Sequence, residues 1–286
     1  MKTNRVNLLI IALGLLLFIF SSCAFKTINR SKDVEYLPTG TTGTEAQKLN
    51  IFSPEKNTVL KDVLIFIHGG NWNSGKPSIY NFFGARLARK GVVAVIIEYP
   101  LSPKATYKEM AFATAAAVTW VKQHIAQYGG NPEKIFISGH SAGGHLAALV
   151  SLDNSYFDSL ATGNPIKGSI LIDAAGLTMY DYLHAENFEQ GHTYLNTFTN
   201  DPVEWKKASP VNFVHRGMPP MLIYQGGKTY ASIKEANEKF VQAVQQVAPG
   251  TPYYILKGKK HVPMILQFFW SWNPHYKTII DFMNNN

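Results

Sequence analysis

The sequence predicts an α/β domain: a mostly parallel central sheet with helices on both faces. Three observations predict it. Short apolar runs such as LIFI (64–67) and VVAVII (92–97) alternate with longer stretches of helical spacing. Glycine and proline clusters punctuate the changes of period. The 286 residues are enough to bury a large sheet on both sides.

Taken in order, QKLNIFSP (47–54) alternates as an edge strand does. DVLIFIHGG (62–70) is a solid apolar run ending in glycines, the pattern of a parallel strand covered on both faces. Residues 76–90 suit a helix and GVVAVIIEYP (91–100) the next buried strand. Over 106–128, Met110, Ala113, Ala117, Val121 and Ile125 recur on one helical face. KIFISG (134–139) is a strand and 141–152 a helix. GSILIDAAG (168–176) and PPMLIYQGG (219–227) are further strands. Over 232–247, Ile233, Ala236, Phe240, Val244 and Val247 form an amphipathic face. TPYYILKG (251–258) is the last strand, and 274–283 a closing helix. Residues 177–218 break this rhythm. They are long, irregular and aromatic, with Tyr180, Tyr182, Phe188, Tyr194, Phe198 and Trp205, and they are expected to form a small lid-like insertion.

The first 23 residues have a different composition. Lys2 and Arg5 precede an uncharged apolar stretch from Leu8 to Phe20, and FSSC (20–23) holds the only cysteine. That length suits a signal peptide and is short for a bilayer span. The pattern resembles a bacterial lipoprotein signal, with Phe20 where an aliphatic residue is usual. The resemblance implies acylation at Cys23, export, and a lipid anchor in a bacterial cell envelope, leaving 24–286 as the domain. A single cysteine excludes an intrachain disulfide. The net charge of +8 includes no long basic run, KGKK (257–260) being the densest, so nucleic-acid binding is not expected.

The chemistry concentrates around ISGHSAGGHL (137–146). Gly139-His140-Ser141-Ala142-Gly143 stands between a strand and a helix. A tight strand-to-helix turn strains its central residue and projects the serine hydroxyl above the sheet, at the positive end of the helix. Ser141 is therefore the candidate nucleophile, and the Ala142 N–H, by position, a donor to a developing oxyanion. HGGNW (68–72) follows an earlier strand, where glycines let backbone N–H groups turn toward the same point.

With EYPLSP (98–103), GGNPEKIFISGHSAGGHLA (129–147) and WKKASP (205–210), these stretches resemble the α/β-hydrolase fold, in the carboxylesterase branch related to hormone-sensitive lipase. The resemblance spans about residues 45–285. It implies hydrolysis of a carboxylic ester by a serine–acid–histidine triad without a cofactor or metal, and an oxyanion hole at Gly70, Asn71 and Ala142. Many relatives carry a third glycine where Asn71 stands. It also implies a base at His261, in GKKHVP after the last strand, with His275 the runner-up.

The acid is the open point. Relatives place a carboxylate just past the turn that ends PPMLIYQGG, where this chain has Lys228 and Thr229. Three readings compete. Asp173, at the end of SILID one strand over, lies within reach because parallel strands are ~4.8 Å apart; pancreatic-type lipases use that position. Thr229 or a water could orient His261 in a dyad. Glu235 could reach back from the next helix. The expected activity is that of a serine esterase on a small-molecule ester, with aromatics of 177–218 lining a pocket for an apolar group. The alternative is a catalytically impaired binding protein of the same fold.

Overall fold

The computed structural model describes residues 27–42, 44–55 and 59–286. The expectations for residues 1–23, including Cys23, lie outside these. Eight strands form one sheet: β1 (Ile28–Leu37), β2 (Gln47–Pro54), β3 (Lys61–Ile67), β4 (Val93–Ile97), β5 (Gly130–His140), β6 (Ile166–Ile172), β7 (Met221–Gly226) and β8 (Tyr253–Leu256). Their order is β1-β2-β4-β3-β5-β6-β7-β8. β2 runs antiparallel to both neighbours, and every other pair is parallel.

The pleat explains the apolar runs. In β3, Val63, Ile65 and Ile67 face one core and Leu64 and Phe66 the other, and all five are buried. The first core is closed by α2 (Tyr107–His124), α3 (Ala142–Leu152) and α8 (Ala231–Val247), through Met110, Leu146 and Phe240. The second is closed by α1 (Asn81–Arg89), α9 (His261–Leu266) and α10 (His275–Asn284), through Phe83, Met264 and Ile279. A strand covered on both faces has no solvent side to mark with polar residues. α2 starts where Thr106 and Glu109 form a capping box, and its continuation as a 3-10 turn stops at Gly129, which has φ 82°.

Three expectations change. QKLNIFSP is not the edge of the sheet: β1 covers it, so β2 is almost wholly buried. β1 (INRSKDVEYL) shows no apolar run because much of it is exposed. The strand expected to reach residue 176 ends at Ile172, because Asp173 turns the chain with φ 48°. Residues 177–218 are more regular than their composition suggests, holding α5 (Met179–Glu186), α6 (Thr193–Phe198), α7 (Pro202–Lys207) and a 3-10 turn at Pro210–Phe213. A short helix, α4 (Ser155–Asp158), lies between α3 and β6.

Helix α1 lies close on β2 because Gly84 has no side chain; a Cβ there would stand 2.5 Å from the Phe52 ring. Gly84→Val is expected to lower stability by about 1–3 kcal/mol through overpacking. Thermal melting against wild type checks this, and an unchanged melting temperature would mean the helix can move away freely.

Candidate active site

β4 lies on one side of β3 and β5 on the other, so the loops after β3 and β5 diverge at their carboxyl ends. In open α/β sheets that switch point is where ligands bind. Ser141 sits there, between β5 and α3, with φ 57° and ψ −123°. Such a conformation is costly for a residue with a side chain and persists only where the surroundings impose it. Here two glycines do so. A Cβ on Gly139 would stand 2.1 Å from the Gly143 carbonyl oxygen, and one on Gly143 would stand 2.1 Å from that of Ile67.

The Ser141 hydroxyl is 2.8 Å from His261 Nε2. His261 Nδ1 is 2.6 Å from Asp173 Oδ2. An ionised carboxylate only accepts, so Nδ1 carries the proton and Nε2 accepts from the serine. Asp173 is fully buried. Its other oxygen, Oδ1, accepts the Gly226 N–H at 2.8 Å, and Oδ2 also accepts the Thr229 hydroxyl at 2.5 Å. A buried carboxylate needs such donors, because leaving it unpaired is expensive. The structure therefore brings Ser141, His261 and Asp173 together. It does not bring Glu235 in: that residue pairs with Lys239 on the exposed face of α8 at 3.0 Å. His275 also lies elsewhere, edge-on to Tyr224.

His261 is the first residue of α9 rather than part of a loop. Below it lies the buried ring of His140, with centroids 4.6 Å apart, and His140 Nε2–H donates to the His261 carbonyl at 3.1 Å. Burial, with the neighbouring His261, pushes the His140 pKa down to about 3, so this ring stays neutral. The exposed Tyr230 ring stands 5.3 Å from the His261 ring.

Gly70, Asn71 and Trp72 form the turn after β3, all at positive φ. Gly70 is required, since a Cβ would stand 2.0 Å from the Ser74 carbonyl oxygen. The Ala142 N–H lies in the first turn of α3 and has no partner within that helix. Trp72 is buried and donates to His145 Nδ1 at 3.2 Å, while His145 Nε2–H donates to the Ala208 carbonyl at 2.7 Å. Tyr194 of α6 donates its hydroxyl to Asn71 Oδ1 at 2.9 Å. Phe198, expected to line a pocket, is buried instead and stacks on Tyr107. Sequence reading missed the parts played by Gly226, His140 and Tyr194. The turn glycines after β7 were the one available signal, and the other two are tertiary contacts.

A mostly parallel eight-stranded sheet with a serine elbow after β5 and a histidine after β8 defines an α/β-hydrolase. Residues 49–241, more than half of the chain, match the BD-FAE family. The chain belongs to that family. It is 31% identical over 202 residues to esterase LipQ of Mycobacterium tuberculosis, covering 67% of this chain and 48% of that one. It is 24% identical to a probable isoprenylcysteine alpha-carbonyl methylesterase, ICMEL1, of Arabidopsis thaliana, over 77% of this chain and 49% of that one. The chain thus spans about half the length of these curated relatives. Among solved structures, a truncated carbohydrate esterase from gut microbiota superposes with a TM-score of 0.75 at 22% identity, covering 92% of this chain and 98% of that one.

Burial also pushes His68 and His145 down to about 4. With His140, three histidines are neutral in the fold and protonate only on unfolding as pH falls below ~6.5. The unfolded state then binds more protons, so stability drops between about pH 6.5 and pH 4. Denaturant titrations across that range should show the midpoint falling steadily, and His145→Gln should flatten the slope.

Proposed function

We propose that this chain is a serine hydrolase that cleaves carboxylic esters through an acyl-enzyme on Ser141. One observation carries the reading: a continuous relay from Ser141 Oγ to His261 Nε2 (2.8 Å) and from His261 Nδ1 to Asp173 Oδ2 (2.6 Å). His261 takes the Ser141 proton as the oxygen attacks the ester carbonyl. The oxygen that becomes negative is met by the N–H of Ala142 and those of Asn71 and Gly70, each such donor being worth about 2.7–4 kcal/mol in the transition state. His261 then passes its proton to the departing alcohol, and water releases the acid by the same route. Asp173 holds the imidazole in the tautomer this needs. The esterase names of the relatives support this activity class.

The bond from Tyr194 to Asn71 supports a cap role for 177–218, since that segment then touches the proposed oxyanion loop directly. Two relatives' names point to different alcohols, one to a methyl ester of a modified cysteine and one to a carbohydrate ester. The charged start, the apolar 8–20 and Cys23 support export and lipid attachment. Mass analysis of the cell-derived protein should show an acylated N-terminal Cys23, and Cys23→Ala should release the protein from the membrane fraction.

The catalytic reading is tested by exposing the folded domain to a fluorophosphonate. A single adduct on Ser141, lost in His261→Ala, is expected. Asp173→Asn should lower kcat for a short-chain aryl ester by about 10⁴-fold with the fold intact. Unchanged turnover in that variant would remove Asp173 from the mechanism.

A further inference from the structure

The turn after β7 is where a catalytic carboxylate is expected, and it holds none. It does hold two hydrogen-bond donors aimed at the carboxylate one strand away. Gly226 N–H meets Asp173 Oδ1 at 2.8 Å, and the Thr229 hydroxyl meets Oδ2 at 2.5 Å. The turn is tight, with Thr229 N–H donating back to the Gly226 carbonyl at 3.2 Å. Gly226 must be glycine, because a Cβ would stand 2.8 Å from the Lys259 carbonyl oxygen.

The same turn is tied to the segment that carries His261. Gly227 N–H donates to the Leu256 carbonyl at 2.9 Å, and Lys228 N–H to that of Lys259 at 2.8 Å. Residues 226–229 therefore lock Asp173 and His261 to one rigid piece of backbone. Thr229 Oγ1 also stands 3.4 Å from His261 Nδ1, beside the shared oxygen. The hydroxyl has one proton, and Asp173 Oδ2 is its closer partner, so it donates to the carboxylate and leaves the imidazole N–H to do the same.

We infer that Thr229 is a positioning residue: its hydroxyl orients the Asp173 carboxylate and withdraws charge from the oxygen that holds His261. This rests on the proposed triad, and its consequences are specific. Without the hydroxyl, the negative charge on Oδ2 is less dispersed and favours the imidazolium more strongly. The proton taken from Ser141 is then held more tightly by the imidazole and passed on less readily to the departing alcohol. The carboxylate, left with the Gly226 N–H and the imidazole, is also held less firmly in orientation.

The experiment compares Thr229→Val, which keeps the shape and removes the hydroxyl, with Thr229→Ser, which keeps the hydroxyl. For a short-chain aryl ester, Thr229→Val should lower kcat by about tenfold, the worth of one hydrogen bond to a charged group, with KM little changed. The acid limb of its kcat/KM profile should move to higher pH. Thr229→Ser should restore both. In an Asp173→Asn background, Thr229→Val should cost much less, because the carboxylate it serves is gone. The His261 imidazole titration, followed by NMR in the same variants, reads the pKa without any substrate, so it decides the matter even if wild type proves inert to esters. A Thr229→Val protein with wild-type kcat and an unmoved His261 titration would overturn the inference. So would a full loss in the Asp173→Asn background. If Thr229→Val does not fold, the titration of Thr229→Ala takes its place: a rise supports the inference and an unmoved curve overturns it.

Discussion

Gly143 has no room for a side chain: a Cβ would stand 2.1 Å from the carbonyl oxygen of Ile67, at the end of β3. This close approach of α3 to the ends of β3 and β5 is the constraint on which the site depends. It draws the first turn of α3 down to the carbonyls of Ile67 and His68 and forces Ser141 to φ 57°. Any side chain at Gly139 or Gly143 would separate Ser141 from its neighbours.

The strain is concentrated where the chemistry is proposed. Eight non-glycine residues have positive φ among the described residues, and four of them, Asn71, Trp72, Ser141 and Asp173, line the carboxyl edge of the central strands. Such conformations survive only when surrounding contacts over-determine them. At Asp173 the contacts are the paired donors of residues 226 and 229; at Trp72 they are full burial and the bond to His145.

Those contacts also join the site to its insertion. Trp72 bonds to His145, His145 to the Ala208 carbonyl, and Asn71 to Tyr194. The turn proposed as the oxyanion hole is thus held from α3 through His145, itself bonded to the Ala208 carbonyl after α7, and from α6 through Tyr194. Burial keeps His145 neutral, which lets one ring nitrogen accept while the other donates.

The architecture was legible because period and punctuation are local properties: LIFI, VVAVII and the GHSAG elbow name buried strands and a strained turn without reference to the rest of the chain. β1 was not legible, since an edge strand with an exposed face carries polar residues as a loop does. Ser141 was a candidate from its place in a strand-to-helix turn, and His261 from the family resemblance at the residues after the last strand. For the group that orients His261, the sequence favoured Asp173, ahead of a dyad oriented by Thr229 or a water and of Glu235, but local pattern could not separate them. Which carboxylate meets a histidine 88 residues away depends on strand order and register, and on a positive φ at residue 173 that turns the side chain toward it. Tertiary packing made that choice: β6 and β7 pair in parallel with Ile172 beside Tyr224, bringing the Asp173 carboxylate to the Gly226 N–H and the Thr229 hydroxyl.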